Sequence, residues 1–245
     1  MKNKSSHDIV SLPRALSKLG YCSRMQAFRL IREGRVSVNE RQELDPHYRV
    51  SIVADRLQVD GKIIRPKKDL IYICLNKPRG IVTTRSDERR AATVYDLIGK
   101  QSSWVFPVGR LDKESSGLLL LTNDTEFGEV LTNPASRHSK TYRVKVDRMV
   151  RSDDLQKFSQ GIVLNDGYTT LPAKVRRDKK DRNGCSFILT LTEGKNRQIR
   201  RMCEARGYKV SELHRIGIGR LTIPDLKSGK WRPLTPEEKI RALAH

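Results

Sequence analysis

A short polar loop between two apolar runs carries the first side chains that could do chemistry. Residues 108–124 read VGRLDKESSGLLLLTND, in which Arg110 and Asp112 lie between Gly109 and Gly117. Neighbouring cations favour the ionised form of a carboxylate. An ionised carboxylate can act as a nucleophile, as a general base or as one half of an ion pair. Spacing alone favours the ion pair, because structural pairs are common in proteins.

Other catalytic patterns are weak in this chain. Glu114 and Asp124 lie near Asp112 but have no obvious partners for a two-metal site. The sequence contains no Gly-x-Ser-x-Gly and no phosphate-binding Gly-rich loop ending in Lys-Ser/Thr. The four cysteines and five histidines are scattered rather than clustered. We therefore expect no metal site and reduced cysteines.

A second group of candidates joins the end of a strand to a helix. Residues 193–202 read EGKNRQIRRM, with cations at Lys195, Arg197, Arg200 and Arg201. Helix N-terminal amides and guanidinium groups suit phosphates, although a solvated helix face would also explain the pattern. Tyr142, in the alternating stretch KTYRV, is a third candidate. Its alternative explanation is a core residue with a solvated hydroxyl.

Charge gives the strongest bulk signal. Lys and Arg number 49 and Asp and Glu number 28, which gives a net charge of +21 over 245 residues. Such a chain attracts polyanions, and we favour nucleic acid over an anionic membrane surface or no specific partner. No apolar stretch is long enough to cross a membrane, and the first residues lack a secretory signal, so we expect a cytoplasmic protein.

The first 64 or so residues read as two helices followed by short strands. Leu12, Leu16 and Leu19 share one helical face, Ser23 can cap a second helix, and Gly34 can end it. Val36-Ser37-Val38 and 57–59 read as strands, with a hairpin turn at 60–61. Cations are interleaved with the helical positions and suggest either a phosphate-binding surface or a solvated face: Arg14, Lys18, Arg24, Arg29, Arg32 and Arg35.

The rest of the chain alternates strand and helix patterns after a short polar stretch at 65–69. Strands are predicted at 70–75, 118–121, 141–146 and 187–191, with a helix at 197–205 and another starting at Thr235. Several antiparallel-style strands with few, separated helices indicate an α+β domain.

Two family resemblances follow from these motifs. SLPRALSKLGYCSRMQAFRLIREGRVSVN (11–39) resembles the S4 domain, a small αα-β RNA-binding module. The loop VGRLDKESSGLLLLTND, KTYRV and EGKNRQIRRM, in that order, resemble the RsuA-like ribosomal RNA pseudouridine synthases. LNKPRGIVTT (75–84) and GKWRPLTPEE (229–238) extend the resemblance over nearly the whole chain.

The resemblance implies an S4 domain at 1–66 and an α+β catalytic domain with a mixed or antiparallel sheet at 67–245. It implies a monomer that converts a uridine of ribosomal RNA to pseudouridine without metal or cofactor. The large-subunit (23S) RNA is the favoured substrate. The alternatives are the small-subunit (16S) RNA, a tRNA stem-loop, or a non-catalytic RNA-binding assembly factor.

The resemblance also assigns roles to the three candidates. Asp112 matches the catalytic nucleophile, Tyr142 the active-site tyrosine, and Arg200 the cation that pairs with the aspartate. Arg110 is a competing partner for Asp112. Attack at C1′, attack at C6 and a glycal route stay open for the carboxylate. RNA-binding roles are expected for a wider basic set: Arg110, Lys195, Arg197, Arg201 and the six cations of the first domain.

Overall fold

The computed structural model describes residues 9–65, 69–84, 91–99 and 104–245, which pack as two compact units. The first contains the described residues up to Ile71 together with 104–106 and 122–125, and the second contains the others. The predicted boundary between 66 and 67 lies outside the described residues.

Residues 9–65 of the first unit form two helices and six short strands. In chain order they are β1 (Ile9–Ser11), α1 (Leu12–Lys18), α2 (Arg24–Arg32), β2 (Val36–Val38), β3 (Arg41–Gln42), β4 (Arg49–Ser51), β5 (Leu57–Val59) and β6 (Lys62–Ile63). β3, β2, β5 and β6 form one sheet in that order, and β1 pairs with β4. The buried side chains of α1 and α2 share one apolar core with β2 and β5, as the helical spacing predicts.

Local signals place the ends of α2 correctly. The Ser23 side chain accepts a hydrogen bond from the Gln26 amide at 3.2 Å, in a reciprocal capping box. Gly34 follows the helix with φ +70°, a left-handed conformation that ends it.

The second unit is built on a mixed sheet. Its elements, three of which include one residue of the first unit, are β7 (Tyr72–Lys77), α3 (Val94–Ile98), β8 (Phe106–Pro107), β9 (Ser116–Thr122), α4 (Thr125–Thr132), β10 (Lys140–Val146), α5 (Ser152–Gln160), β11 (Lys174–Arg177), β12 (Ser186–Leu191), α6 (Gln198–Ala205), β13 (Val210–Ile218), β14 (Leu221–Thr222), β15 (Trp231–Pro233) and α7 (Pro236–Leu243). The strand order is β11-β12-β10-β13-β9-β7-β15, with β14 beside β13 and β8 beside β9. The pair β9–β13 is parallel, and β10 pairs antiparallel with β12 and β13. The predicted α+β class is confirmed.

One strand differs from its prediction. The expected strand at 70–75 runs from Tyr72 to Lys77, although Asn76 and Lys77 read as its end. Lys77 continues the strand because its ammonium group finds two backbone carbonyls inside the protein. The strand therefore ends against the loop that carries Asp112.

Candidate functional site

Every backbone carbonyl of the loop from Leu111 to Ser115 accepts a hydrogen bond. The Thr83 hydroxyl donates to Leu111 O at 2.7 Å, and the Ser115 amide donates to Asp112 O at 3.0 Å. The remaining three carbonyls accept from Gly80 N (2.8 Å to Lys113 O), Arg200 Nη2 (3.0 Å to Glu114 O) and Lys77 Nζ (2.7 Å to Ser115 O). Because buried or constrained carbonyls need partners, these bonds fix the backbone on both sides of Asp112.

Lys77 is the least exposed member of this support. Its side chain is fully buried, and its ammonium also donates to Pro78 O at 2.9 Å. Burial lowers the pKa of Lys77 to about 8, although the nearby charges of Asp112 and Glu114 oppose the shift. Lys77 therefore holds the loop at an electrostatic cost.

Gly117 lets the loop turn directly into β9. It has φ +106° and pairs with Arg215 in the parallel ladder between β9 and β13. A Cβ at this position would overlap the backbone carbonyl of Arg215 and lie 2.6 Å from its amide nitrogen. The glycine that closes the loop is thus required by close backbone contact as well as by its conformation.

Asp112 opens onto a pocket of about 430 Å³, within the range of small-ligand sites. The aspartate side chain is 38% exposed, so its carboxylate is accessible although its backbone is fixed. The Tyr142 ring, from β10, packs partly on the apolar core and forms another wall. The pocket brings together five of the predicted site residues: Arg110, Asp112, Tyr142, Lys195 and Arg197.

The cation beside Asp112 is Arg197, whereas Arg200 and Arg110 were expected there. Arg197 Nη1 lies 4.0 Å from Asp112 Oδ2, and its side chain is 53% exposed. The predicted helix at 197–205 begins at Gln198, so Arg197 occupies the N-cap with left-handed dihedrals (φ 48°, ψ 29°). This position before the helix leaves the Arg197 side chain at the pocket.

Arg200 supports the loop from the first turn of α6. Its guanidinium donates to Glu114 O and, at 3.3 Å, to Val210 O, and both bonds commit it to backbone carbonyls. Burial and the neighbouring charge of Arg197 lower the pKa of Arg200, while Asp112 opposes them. Arg200 thus lies within electrostatic reach of Asp112 without forming the expected ion pair.

A hydrogen-bond network holds the segment 193–198 against the pocket. Glu193 accepts from the Tyr168 hydroxyl at 2.6 Å and from Gln198 Nε2 at 2.5 Å. Gln198 Oε1 in turn accepts from the Lys195 amide at 3.0 Å, and the Lys195 ammonium lies 5.1 Å from the centre of the Tyr168 ring. Arg201 lies outside the pocket lining and pairs with Asp166 at 2.5 Å.

The predicted RNA-binding residues of the first unit differ in their solvent exposure, and one of them already forms an ion pair within the protein. Arg14, Arg24, Arg29, Arg32 and Arg35 are exposed, and Lys18 is half-buried. Arg35 is already held by Asp60 through two bonds of 2.7 and 2.8 Å. A phosphate at Arg35 would have to compete with this bidentate pair.

Sequence reasoning missed the support that 77–83 gives to the loop. Lys77, Gly80 and Thr83 all lie in LNKPRGIVTT, which contributed to the resemblance but to no predicted site. The available signal was a lysine that ends an otherwise apolar strand and precedes a proline. Among the described residues, no group of three or more His, Cys, Asp or Glu side chains could hold a metal ion. No helix in that part of the chain is long and apolar enough to cross a membrane.

Two family models match the chain. The model for RNA pseudouridylate synthase matches residues 71–205, and the model for the S4 domain matches residues 10–57. The first match contains the whole loop, Tyr142 and the segment 193–202.

Similar proteins agree over nearly the full length. The chain is 37% identical over 237 residues to the ribosomal large subunit pseudouridine synthase B of Bacillus subtilis, covering 95% of this chain and 96% of that protein. It is 37% identical over 234 residues to a dual-specificity RNA pseudouridine synthase of Escherichia coli, covering 94% of this chain and 77% of that protein. A crystal structure of a pseudouridylate synthase superposes with a TM-score of 0.70 at 28% identity, covering 95% of this chain and 99% of that one.

Proposed function

The chain belongs to the RNA pseudouridylate synthase family, and from this premise we propose that it converts a uridine of large-subunit ribosomal RNA to pseudouridine. The observation that carries the proposal is that Asp112, Tyr142 and Arg197 line one pocket. The similarity to a large-subunit enzyme supports the choice of RNA. A cytoplasmic location and a monomeric state stay predictions.

The chemistry assigns a part to each of these side chains. The N1–C1′ bond of uridine breaks, the uracil turns, and C5 bonds to C1′. The proton that leaves C5 is balanced by one gained at N1. We assign Asp112 as the nucleophile, because its carboxylate is accessible while its backbone is fixed at every carbonyl of the loop.

Tyr142 and the basic residues would bring the nucleotide to Asp112. A uridine inside a stem must flip out of the helix, which costs a few kcal/mol. The ring of Tyr142 can replace the lost stacking, worth about 1–3 kcal/mol per base. Arg110, Lys195 and Arg197 line the pocket with positive charge suited to the RNA backbone. The exposed cations of the first unit would hold more distant phosphates.

The test is conversion of ribosomal RNA fragments, with pseudouridine mapped at nucleotide resolution. Wild-type protein should form pseudouridine at a discrete site in large-subunit RNA, and Asp112→Asn should form none. RNA affinity of Asp112→Asn should stay within about threefold, since the substitution preserves shape and removes charge from a half-exposed side chain. Glu114→Gln is the matched control, because Glu114 is an exposed carboxylate on the same loop outside the pocket lining.

Each outcome of this test decides something. Product from Asp112→Asn would show that Asp112 is not the nucleophile. Product only in small-subunit RNA or in tRNA would refute the substrate assignment. RNA binding by the wild-type protein without any product would favour a non-catalytic assembly factor.

A further inference from the structure

A second cavity lies beside the substrate pocket, the 430 Å³ pocket of Asp112, and has its own charged lining. It measures about 170 Å³ and shares Gly109, Arg110, Tyr142, Glu193 and Gly194 with the substrate pocket. Its other walls come from β13, the C-terminal end of α4 and the start of β10. Lys140 and Arg215 line this second cavity and are absent from the lining of the first. We refer to it as the cationic cavity.

Arg215 brings a buried guanidinium to the cationic cavity. The residue is 4% exposed, and its Nε donates to Leu118 O at 2.7 Å. Its Nη2 is buried and has no hydrogen-bond partner among the described residues. A buried donor without a partner is costly, so a group that accepts from it would be stabilised there.

Lys140 adds a second cation to the same space. It is half-buried at the start of β10. Burial, and then the charge of Arg215, lower the pKa of Lys140 to about 8. Two neighbouring cations of which one is buried and the other half-buried repel each other, and an anion bound to both offsets this cost.

No carboxylate in the lining is free to supply that anion. Glu193 is the one acidic residue among the described lining residues. Its Oε1 accepts from Leu171 N and Gln198 Nε2, and its Oε2 accepts from the Tyr168 hydroxyl. These donors hold both oxygens of Glu193, which leaves Lys140 and Arg215 to bind an anion from outside the chain.

We propose that the cationic cavity binds a backbone phosphate of the RNA next to the target uridine, with Lys140 and Arg215 as its ligands. This assignment rests on the proposed function, which places the uridine in the adjoining substrate pocket. A phosphate has several strong acceptor oxygens and so can accept from the Lys140 ammonium and the Arg215 guanidinium together. Because the two cavities share Tyr142 and Arg110, the phosphate would lie one nucleotide step from the base stacked on Tyr142.

The first experiment measures RNA binding by the full chain as a function of salt. Each phosphate contact contributes about 0.7 to 0.9 to the slope of log affinity against log salt. Lys140→Met should lose about one such increment and bind RNA about tenfold more weakly at low salt, while Lys140→Arg should restore both. Lys145→Met is the matched control, since Lys145 is an exposed lysine on the same strand that pairs with Glu212 away from the cavity.

The second experiment uses inorganic phosphate as the probe in the absence of RNA. With isotope-labelled lysine, phosphate should shift the Lys140 side-chain resonances and raise its titration midpoint relative to chloride at equal ionic strength. Arg215→Met is not needed for this measurement, which avoids a variant that would leave Leu118 O without its donor.

The outcomes separate this proposal from the proposed function. An unchanged salt slope in Lys140→Met would overturn the assignment to the RNA backbone, even if inorganic phosphate shifts Lys140. A fall in kcat with unchanged RNA binding would also overturn it, because Lys140 would then act on the base. If the wild-type protein forms no pseudouridine, the proposed function is wrong. The two binding measurements would still test whether the cationic cavity binds phosphate.

Discussion

Replacing Lys77 by Met tests whether a buried cation supports the loop of Asp112. The wild-type ammonium is fully buried and its pKa is lowered from 10.5 to about 8, whereas the unfolded chain keeps the ordinary value. Between pH 8 and 10.5 the unfolded state therefore binds more protons than the folded state, and stability rises with pH. From these two values, Lys77 should contribute about 2.5 kcal/mol of added stability between pH 7 and pH 10.

The substitution should remove this pH-dependent contribution and change stability at neutral pH by no more than about 3 kcal/mol. Met removes the burial cost of the charge, about 3 kcal/mol at pH 7. It also leaves Pro78 O and Ser115 O without their donor, at about 1–3 kcal/mol each. Activity should nevertheless fall about 10- to 100-fold, because a loosened Ser115 carbonyl misplaces Asp112.

Fluorescence can follow unfolding of the second unit alone. The chain has two tryptophans, and Trp231 lies on β15 opposite Leu75 of the strand that ends at Lys77. In a Trp104→Phe background, urea unfolding at pH 7 and pH 10 gives the rise in the free energy of unfolding between the two pH values. This rise should be smaller in Lys77→Met than in its parent. Subtracting the two profiles cancels other groups, including Lys140. An identical rise in both proteins would refute the lowered pKa of the buried Lys77 ammonium. The control Lys145→Met should show the same rise in the free energy of unfolding as the parent.

Two further predictions concern the ends of the loop and its cations. Gly117→Ala should prevent folding of the second unit or destabilise it by well over 3 kcal/mol, because its Cβ would overlap Arg215. Gly109→Ala places its Cβ 3.9 Å from Thr132 Cγ2 and should cost only about 1–2 kcal/mol of backbone strain, measured by urea unfolding. Equal losses of stability in the two variants would contradict the close-contact argument. Arg197→Gln should lower the single-turnover rate only a few-fold, since a half-exposed ion pair is worth about 0.2–1 kcal/mol. Arg200→Gln should lower that rate tenfold or more, because it removes the donor to Glu114 O. The reverse order would mean that direct electrostatics at Asp112 matter more than the positioning of the loop.

Local patterns predicted the parts of the fold that depend on neighbours in sequence. Ser23 caps α2, Gly34 follows its end, and Thr235 opens α7 through a capping box, because each signal acts within a few residues. The motif resemblance selected Asp112 and Tyr142, which line one pocket, but it named Arg200 rather than Arg197 as the cation that pairs with the aspartate. These local signals do not predict which distant residue forms a hydrogen bond with each polar group.

The support of the loop could not be read from spacing, because its donors come from distant segments. Lys77 and Ser115 are 38 positions apart, and Arg200 and Glu114 are 86 apart. A lysine and an arginine read locally as solvent-exposed cations, and only the fold shows that both are committed to carbonyls. The motif resemblance likewise pairs Arg200 with Asp112, whereas in the structure the Arg200 guanidinium donates to the carbonyls of Glu114 and Val210.

The cations around Asp112 fall into two groups, those that bind backbone carbonyls of the loop and one that lies beside the carboxylate. Lys77 and Arg200 hold carbonyls of the loop, so moving either one would move the backbone of Asp112. Arg197 holds only the carboxylate, at 4.0 Å and half-exposed, and no loop carbonyl depends on it. Removing the Arg197 contact would therefore leave every carbonyl of the loop with its donor. The contacts that fix the backbone of Asp112 are thus separate from the contact that reaches its carboxylate.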